Sequence, residues 1–254
     1  SAFNFPVAVW SWNAFIAAIC GNTTIWKPSS STTLCAIAVQ NICNEVLALK
    51  DVPNIFSLVI GSGSTIGETM INDKNVPLIS FTGSTKMGRH VSKVVGERFG
   101  KRILELGGNT CIIVDESADM DLVVPAIVFG AVGTAGQRCT STRRVIIHDS
   151  IYEDLKKRLI SAYKQVNIGN PLEKDTLMGP LVNENAVNDF SNAIEQAIEN
   201  GGEVLYGGTT IEGPGNFVTP TIISAENDWN IVQEETFAPV LYLMKYNSFN
   251  DAIF

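Results

Sequence analysis

The stretch Pro77-Leu-Ile-Ser-Phe-Thr-Gly-Ser-Thr-Lys-Met-Gly88 joins an apolar run to a helical pattern through a glycine turn. The run Leu78–Phe81 predicts a strand, and Ser84–Phe99 has the spacing of a helix. A second strand is predicted at Ile103–Leu106, directly after that helix. Strand and helix in alternation predict a mainly parallel sheet covered by helices, which is an α/β architecture.

The same alternation extends in both directions from this stretch. Further strands are predicted at Thr23–Trp26, Ile55–Val59, Cys111–Val114 and Arg144–Ile147. Further helices are predicted at Ser31–Leu49, Ser64–Ile71, Asp119–Gly133, Ile151–Gln165 and Asn183–Asn200. After Gly201 the pattern changes to glycine turns and β-branched runs such as Phe217–Ile223 and Val240–Leu243, which predict strands joined by turns.

The composition is that of a folded protein with an acidic surface. The chain has 254 residues, of which 45% are hydrophobic and 17% charged, with a formal net charge of −8. These values exclude a disordered or collagen-like chain and make nucleic acid a poor partner. The longest apolar runs, such as Val123–Val132, are shorter than the roughly 18–20 residues that span a bilayer, so no membrane partner is predicted.

Cysteine usage indicates a reducing compartment and no metal centre. The odd set of five cysteines has no C-x-x-C pair, and only two histidines are present, so disulfides and zinc are disfavoured and a cytoplasmic location is predicted. Four cysteines lie in apolar contexts typical of buried packing, Cys139 being the exception. The chain begins at Ser1 and stops at Phe254 inside a helix-start pattern, which predicts a fragment of a longer subunit.

Two glycine turns follow predicted strands and precede helices. The turn Gly61–Gly67 is one residue longer than the dinucleotide-binding pattern, and Phe81–Gly88 offers Ser84 as a helix cap. Each turn fits phosphate binding, and each also fits a tight turn with no ligand. A nucleoside-triphosphate loop is excluded, because Arg89 and His90 replace the lysine and hydroxyl residue that it needs.

A carboxylate and a thiol are candidates for chemistry. Glu105 lies in an apolar run before two glycines, where desolvation would make it a base, although a surface glutamate on an edge strand fits the same pattern. Cys139 follows small residues and the cation Arg138, which suits a nucleophile, although a lone cysteine is ordinarily structural. With two nucleotide-like turns, this pair favours thiol addition to a carbonyl and hydride transfer to a nicotinamide.

Six segments in order resemble the signature segments of the aldehyde dehydrogenase superfamily. They are Asn4-Phe5-Pro6, Lys27-Pro28, Phe81–Ser84, Glu105–Gly108, Gly136–Cys139 and Glu234–Pro239. The chain is most similar to the antiquitin-type branch, the α-aminoadipic semialdehyde dehydrogenases. The resemblance covers the whole chain and implies the central half of a longer subunit: a partial Rossmann-type NAD-binding domain at 1–106 and a truncated α/β catalytic domain at 107–254.

The resemblance implies NAD-dependent oxidation of an aldehyde, expected to be α-aminoadipic semialdehyde, to the carboxylate. Cys139 matches the nucleophile that forms the thiohemiacetal and then the thioester. Asn4, with the backbone amide of Cys139, matches the oxyanion hole, and Glu105 matches the base that activates water. No metal takes part.

The resemblance also implies the cofactor contacts and an oligomer. The matching positions are Lys27, Gly61, Thr82, Gly83, Ser84, Leu106, Glu235 and Phe237. Ser30 stands where many NAD-preferring members have a glutamate, so NAD is expected and NADP is left open. A homo-oligomer, dimer or tetramer, is expected of the full-length subunit.

Arg138 and Trp12 are the expected substrate contacts. A guanidinium beside the nucleophile suits a substrate with a carboxylate at its far end, whereas the alternative is a pair with a structural acid. Three alternative functions fit the sequence less well. They are a coenzyme-A-acylating enzyme, a cofactor-independent thiol esterase, and a non-catalytic binding or structural protein. Glu105 disfavours the acylating enzyme, because a water-activating base competes with thiol release.

Overall fold

The computed structural model describes residues 1–52 and 54–253 of the chain. The chain divides into two compact units, Ser1–Gly107 and Gly108–Phe254, and each is described by itself. Phe254, the last residue of the helix start predicted at the end of the chain, lies outside the described residues. The assignment of cofactor binding to 1–106 and catalysis to 107–254 stays a prediction.

The first unit alternates helices and short strands. Its elements are α1 (Ala8–Ile19), β1 (Thr24–Trp26), α2 (Thr33–Leu49), β2 (Phe56–Leu58), α3 (Glu68–Asn72), β3 (Leu78–Thr82), α4 (Thr85–Glu97) and β4 (Lys101–Glu105). Ser30–Thr32 form a 3-10 turn before α2, and Gly63–Gly67 form a π-helical turn before α3.

Both strand pairs of the first unit are parallel. Strand β1 pairs with β2, and β3 pairs with β4. Because parallel strands run in one direction, the residues that follow β1 and β2 lie at one edge, and so do the residues that follow β3 and β4. Two small apolar clusters support these pairs: Trp10, Ala14, Trp26, Ala36 and Phe56 in one, and Ile71, Ile79, Val91 and Val95 in the other.

The second unit is built on one five-stranded sheet in the order β5-β6-β9-β8-β7. Its elements are β5 (Thr110–Val114), α5 (Met120–Val132), β6 (Thr142–His148), α6 (Asp149–Tyr163), α7 (Glu184–Glu199), β7 (Glu203–Tyr206), β8 (Thr221–Ser224), α8 (Asn230–Gln233), β9 (Val240–Tyr246) and α9 (Phe249–Ile253). All neighbouring strands are parallel except β7 and β8.

Helices α5, α6 and α7 and the sheet enclose the larger core. The central strands β6 and β9 are buried along most of their length, as expected for parallel strands covered on both faces. Fully buried side chains from the strands and helices include Val145, Ile147, Leu155, Leu159, Ile222 and Leu241. Side-chain caps fix the helix starts, since Asp119 accepts from the Asp121 N–H and Asn183 from the Ala186 N–H.

The α/β architecture is confirmed, with local differences. No element was predicted for the apolar stretch that forms α1, and β7 lies in the region after Gly201 where strands were predicted without individual bounds. The helix predicted at Ser64–Ile71 is a π-helical turn followed by the short α3. The expected burial of four cysteines is wrong, because Cys20, Cys35 and Cys111 are exposed and only Cys43 is half-buried, its thiol pKa raised by burial.

One helical stretch corrects the expectation that no apolar segment reaches membrane-spanning length. Ser30–Leu49 has 20 residues, a mean hydropathy of 1.3 and only 6% of its apolar window buried. By length and composition alone, this helix is long and apolar enough to cross a membrane. This length was not predicted, because Gln40, Asn41, Asn44 and Glu45 interrupt the apolar residues of the stretch. Such polar side chains are disfavoured inside a bilayer, so the stretch is weak evidence for a membrane span.

Candidate active site

In the first unit, Lys27 lies beside the first glycine turn. Lys27 follows β1 and Gly61 follows β2, at the same edge of this parallel pair. The Lys27 stem approaches Gly67, where a Cβ would lie 3.9 Å from the lysine Cε. Lys27 Nζ donates to the Pro28 carbonyl at 2.8 Å, and burial lowers the pKa of the ammonium. The structure therefore brings together two of the predicted cofactor positions.

The second glycine turn follows β3 and opens α4. The Gly83 N–H donates to the Glu105 carbonyl at 3.1 Å, so this turn is fastened to the end of β4. A Cβ at Gly83 would lie 2.7 Å from the Phe81 ring, which explains the glycine. Ser84 Oγ accepts from the Met87 N–H at 3.3 Å and caps the helix. The first amides of α4 have no intrahelical acceptor, as anion binding requires.

Glu105 and Leu106 lie at the end of β4, next to the Thr82–Ser84 turn. The Leu106 side chain packs against Gly88. A Cβ added at Gly88 would lie 2.7 Å from the Cδ1 of Leu106. Glu105 is exposed, so the expected desolvation of its carboxylate is wrong. The reason is that, among residues 1–52 and 54–253, β3 is the one strand that pairs with β4, and the side chains of β4 are largely exposed. The role of Glu105 as a base stays a prediction.

Asn4 and Trp12 lie near the start of the first unit. Asn4 is half-buried in the bend before α1, and Trp12 is 53% exposed on α1. The segment is anchored beside β1, because Trp26 Nε1 donates to Ser1 Oγ at 2.9 Å. Asn4 belongs to the first unit and Cys139 to the second, so their joint oxyanion role stays a prediction.

In the second unit, Cys139 is exposed just after an unusual turn. The 3-10 turn Gly133–Gly136 contains three successive residues with positive φ: Thr134 at 56°, Ala135 at 51° and Gly136 at 67°. The left-handed region costs a non-glycine residue on the order of 1–2 kcal/mol. Two such residues in succession therefore require support from the surrounding structure.

Gln137 supplies part of this support. Its side chain is buried, its Oε1 accepts from the Val182 N–H at 2.9 Å, and its Nε2 donates to the Pro180 carbonyl at 3.4 Å. Its backbone N–H donates to the Thr134 carbonyl at 3.0 Å. On the other side of the cysteine, the Ser141 N–H donates to the Arg138 carbonyl at 3.1 Å. The residues on both sides of Cys139 are thus fixed by hydrogen bonds.

Arg138 lies on the surface of this turn. Its Nε donates to Thr134 Oγ1 at 2.8 Å, and its guanidinium lies 5.4 Å from the centroid of the Phe129 ring. Across residues 1–52 and 54–253, no carboxylate forms an ion pair with Arg138. The structure therefore gives no support to the alternative of a structural acid partner.

The Glu235 carboxylate is held by the second unit itself. Its Oε1 accepts from the Gly108 N–H and from Arg143 Nη2, each at 3.2 Å. The Arg143 guanidinium also lies 5.5 Å from the centroid of the Phe237 ring. Burial lowers the pKa of Arg143, and the adjacent Glu235 carboxylate opposes this effect. Glu235 and Phe237, two of the predicted cofactor residues, therefore both contact the buried guanidinium of Arg143.

Arg143 was not among the candidates predicted from the sequence. The predicted strand starts at Arg144, whereas β6 begins at Thr142 and includes both arginines. The signal for Arg143 was its charge next to the apolar residues of a predicted strand. Burying a charged side chain is energetically unfavourable unless the charge is paired. Within the described residues, no group of histidine, cysteine, aspartate or glutamate side chains is arranged to hold a metal ion.

Comparisons with known proteins cover the whole chain. The model of the aldehyde dehydrogenase family matches residues 1–254. The "putative aldehyde dehydrogenase family 7 member A1 homolog" of Dictyostelium discoideum is 49% identical, over 99% of this chain and 50% of that protein. The α-aminoadipic semialdehyde dehydrogenase of Bos taurus is 48% identical, over 100% of this chain and 47% of that protein. The chain thus spans about half the length of these curated relatives.

Solved structures show the same fold. Betaine aldehyde dehydrogenase from Staphylococcus aureus, in complex with NAD+, superposes with a TM-score of 0.95 and 31% identity, over 99% of this chain and 50% of that chain. An aldehyde dehydrogenase from Bacillus cereus, also in complex with NAD+, gives a TM-score of 0.94 and 31% identity, over 99% and 51% of the two chains.

Proposed function

Because the chain belongs to the aldehyde dehydrogenase family, we propose that the protein oxidises an aldehyde to the carboxylate with NAD and with Cys139 as nucleophile. The observation that carries this proposal is the turn of the second unit, which exposes the Cys139 thiol while buried partners fix the residues on both sides. Such a fixed, exposed thiol suits covalent catalysis.

The chain's own residues supply the covalent chemistry. The Cys139 thiol loses its proton to solvent, its sulfur bonds to the aldehyde carbon as the carbonyl π bond opens, and the oxyanion of the thiohemiacetal is stabilised by Asn4 and the Cys139 N–H. The chemistry that bound NAD would supply here is an acceptor for the hydride of this carbon. Glu105 takes a proton from water, the water oxygen attacks the resulting thioester, and the carbon–sulfur bond breaks. The products are the carboxylic acid, which ionises, and the Cys139 thiol, restored by the proton that Glu105 took from water.

The residues present fit a dinucleotide. The cap at Ser84 and the free amides at the start of α4 suit a phosphate, and Lys27 next to the Gly61–Gly67 turn offers an ammonium beside a glycine-rich surface. Glu235, oriented by Gly108 and Arg143, suits a pair of ribose hydroxyls. Ser30 has no charge to repel a 2′-phosphate, so NADP is tested beside NAD.

The proposed substrate is α-aminoadipic semialdehyde, which carries its own carboxylate. Relatives at 48–49% identity bear that enzyme's name, in Bos taurus and in Mus musculus. Arg138, which has no acidic partner in the described part of the chain, offers a forked donor for this carboxylate beside the nucleophile. We further propose a cytoplasmic homo-oligomer, as a dimer or tetramer, which sedimentation of the full-length protein tests.

The deciding experiment is an activity assay of the full-length protein, in which the amounts of reduced nicotinamide and of the acid product are measured. With α-aminoadipic semialdehyde and NAD, we expect reduced nicotinamide and free carboxylate in equal amounts. Added coenzyme A is expected to leave the product unchanged, because Glu105 directs water to the thioester. Formation of the coenzyme A thioester would favour the acylating enzyme, and no reduced nicotinamide with NAD or NADP would remove the dehydrogenase proposal.

Replacing Arg138 by alanine is expected to change substrate preference. Loss of a charged hydrogen bond costs about 1.5–3 kcal/mol, so kcat/KM for the semialdehyde falls roughly 10- to 100-fold. The kcat/KM for a neutral aldehyde of the same length changes less than about threefold. Arg158→Ala is the matched control, because Arg158 lies on α6 and pairs with Asp154. Unchanged preference in Arg138→Ala contradicts the role of this guanidinium.

A further inference from the structure

Arg143 is a buried charged side chain that joins three separate segments of the second unit. Its side chain is 2% exposed, and all three of its nitrogens donate hydrogen bonds. The acceptors are the carbonyl oxygens of Gly108 (3.3 Å), Gly136 (3.2 Å), Thr236 and Arg138 (2.9 Å), and Oε1 of Glu235 (3.2 Å). One side chain therefore satisfies acceptors from distant parts of the sequence.

Two of these acceptors lie in the segment that leads into Cys139. Gly136 ends the left-handed turn, and Arg138 directly precedes Cys139. Their carbonyls point to one guanidinium, so Arg143 fixes the direction of the peptide planes that lead into the cysteine. The same guanidinium fixes Glu235, whose other partner, the Gly108 N–H, belongs to a residue whose carbonyl Arg143 also binds.

A lysine does not reproduce this arrangement. The guanidinium is planar and presents five N–H donors in a fixed fork, whereas an ammonium has three donors at one point. Spanning four carbonyls and a carboxylate on different sides needs the fork. The geometry therefore depends on arginine itself, beyond the presence of a positive charge.

We propose that Arg143 is a positioning residue that fixes the turn carrying Cys139 and the Glu235 carboxylate in one arrangement. Through Arg143, the orientation of the Cys139 thiol and the binding of the cofactor by Glu235 depend on the same side chain. The expected change in KM for NAD and in kcat rests on the proposed function. The expected change in the alkylation rate of Cys139 does not.

The test compares Arg143→Lys with Arg144→Lys in the full-length protein. Arg144 is the adjacent residue of β6, and its guanidinium donates to Asn109 O at 2.8 Å and Asn227 Oδ1 at 2.9 Å. In the described chain it bonds neither the Cys139 turn nor Glu235. Three quantities are measured: KM for NAD against kcat, the rate of Cys139 alkylation by iodoacetamide without cofactor, and the melting temperature. Mass spectrometry of the Cys111 peptide gives an internal reference for alkylation.

Arg143→Lys is expected to raise KM for NAD about tenfold and to slow Cys139 alkylation about fivefold, since both groups lose their fixed orientation. Cys111 alkylation stays unchanged, and Arg144→Lys alters KM and alkylation less than about twofold. In a Glu235→Gln background, Arg143→Lys no longer raises KM for NAD but still slows alkylation.

Equal effects of the two lysine variants, or a loss confined to the melting temperature, overturn the inference. If Arg143→Lys does not fold, Arg143→Gln, which keeps a neutral amide donor, replaces it with the same expectations. If the wild-type protein forms no reduced nicotinamide, the proposed function fails, and the alkylation comparison alone then decides whether Arg143 positions the thiol.

Discussion

Replacing Cys139 by serine is expected to lower aldehyde-dependent formation of reduced nicotinamide by at least about 10⁴-fold, as for other covalent nucleophiles. A serine hydroxyl is a far weaker nucleophile than a cysteine at neutral pH, and the structure places no histidine on the Cys139 turn to activate it. The measurement is the initial rate with NAD and α-aminoadipic semialdehyde in the full-length protein, together with NAD affinity in the absence of aldehyde.

Cys111→Ser is the matched control, because Cys111 is another exposed, free cysteine of the second unit, on β5. We expect its rate to stay within about twofold of wild type, as for surface changes away from a site. Cofactor affinity is expected to be unchanged in both variants. A Cys139→Ser protein that keeps a tenth or more of its rate would contradict covalent catalysis by this thiol.

Replacing Gly136 by alanine is expected to lower the free energy of unfolding by roughly 2–5 kcal/mol and to disrupt the turn Gly133–Gly136 that precedes Cys139. Gly136 has a φ of +67°, which is unfavourable for alanine. An added Cβ would also lie 2.7 Å from the backbone nitrogen of Pro239 and overlap the Ala238 carbonyl. Urea denaturation measures the loss of stability, and iodoacetamide alkylation of Cys139 reports the altered turn.

Gly133→Ala is the control for this change in the same turn. Gly133 has a φ of −52°, and the three atoms nearest to a Cβ there all belong to the flexible end of Arg138, at 3.6 Å or more. Its free energy of unfolding is expected to change by less than about 1 kcal/mol. Equal denaturation midpoints for Gly136→Ala and wild type would show that the backbone at 136 is not constrained as described.

Much of the fold was predictable because its signals are local. The strand β3, the turn at Gly83 and the cap at Ser84 lie within one short stretch, and the structure contains all three. Strand β7 was not singled out, because Glu203–Tyr206 is only four residues long and has no run of β-branched residues. Helix α1 was missed because its apolar residues occur on most of its surface, without the polar face that marks a surface helix.

The candidate site was predictable only where the residue type itself carries the chemistry. Cys139 and Glu105 stood out for that reason, and their proposed roles stay predictions. Burial was not predictable, because the exposure of Glu105 depends on what covers β4. Arg143 was not predictable either, since its acceptor on Thr236 lies 93 residues away along the chain.

The close approach of Gly136 to Ala238 has a consequence for how the protein is made. Translation proceeds from residue 136 towards residue 239, so the Cys139 turn is synthesised long before the backbone that packs against it. Two unfavourable left-handed residues do not persist in a chain lacking these contacts. In a nascent chain, the turn that precedes Cys139 therefore reaches the described conformation only after residues 235–239 have been synthesised and packed against Gly136.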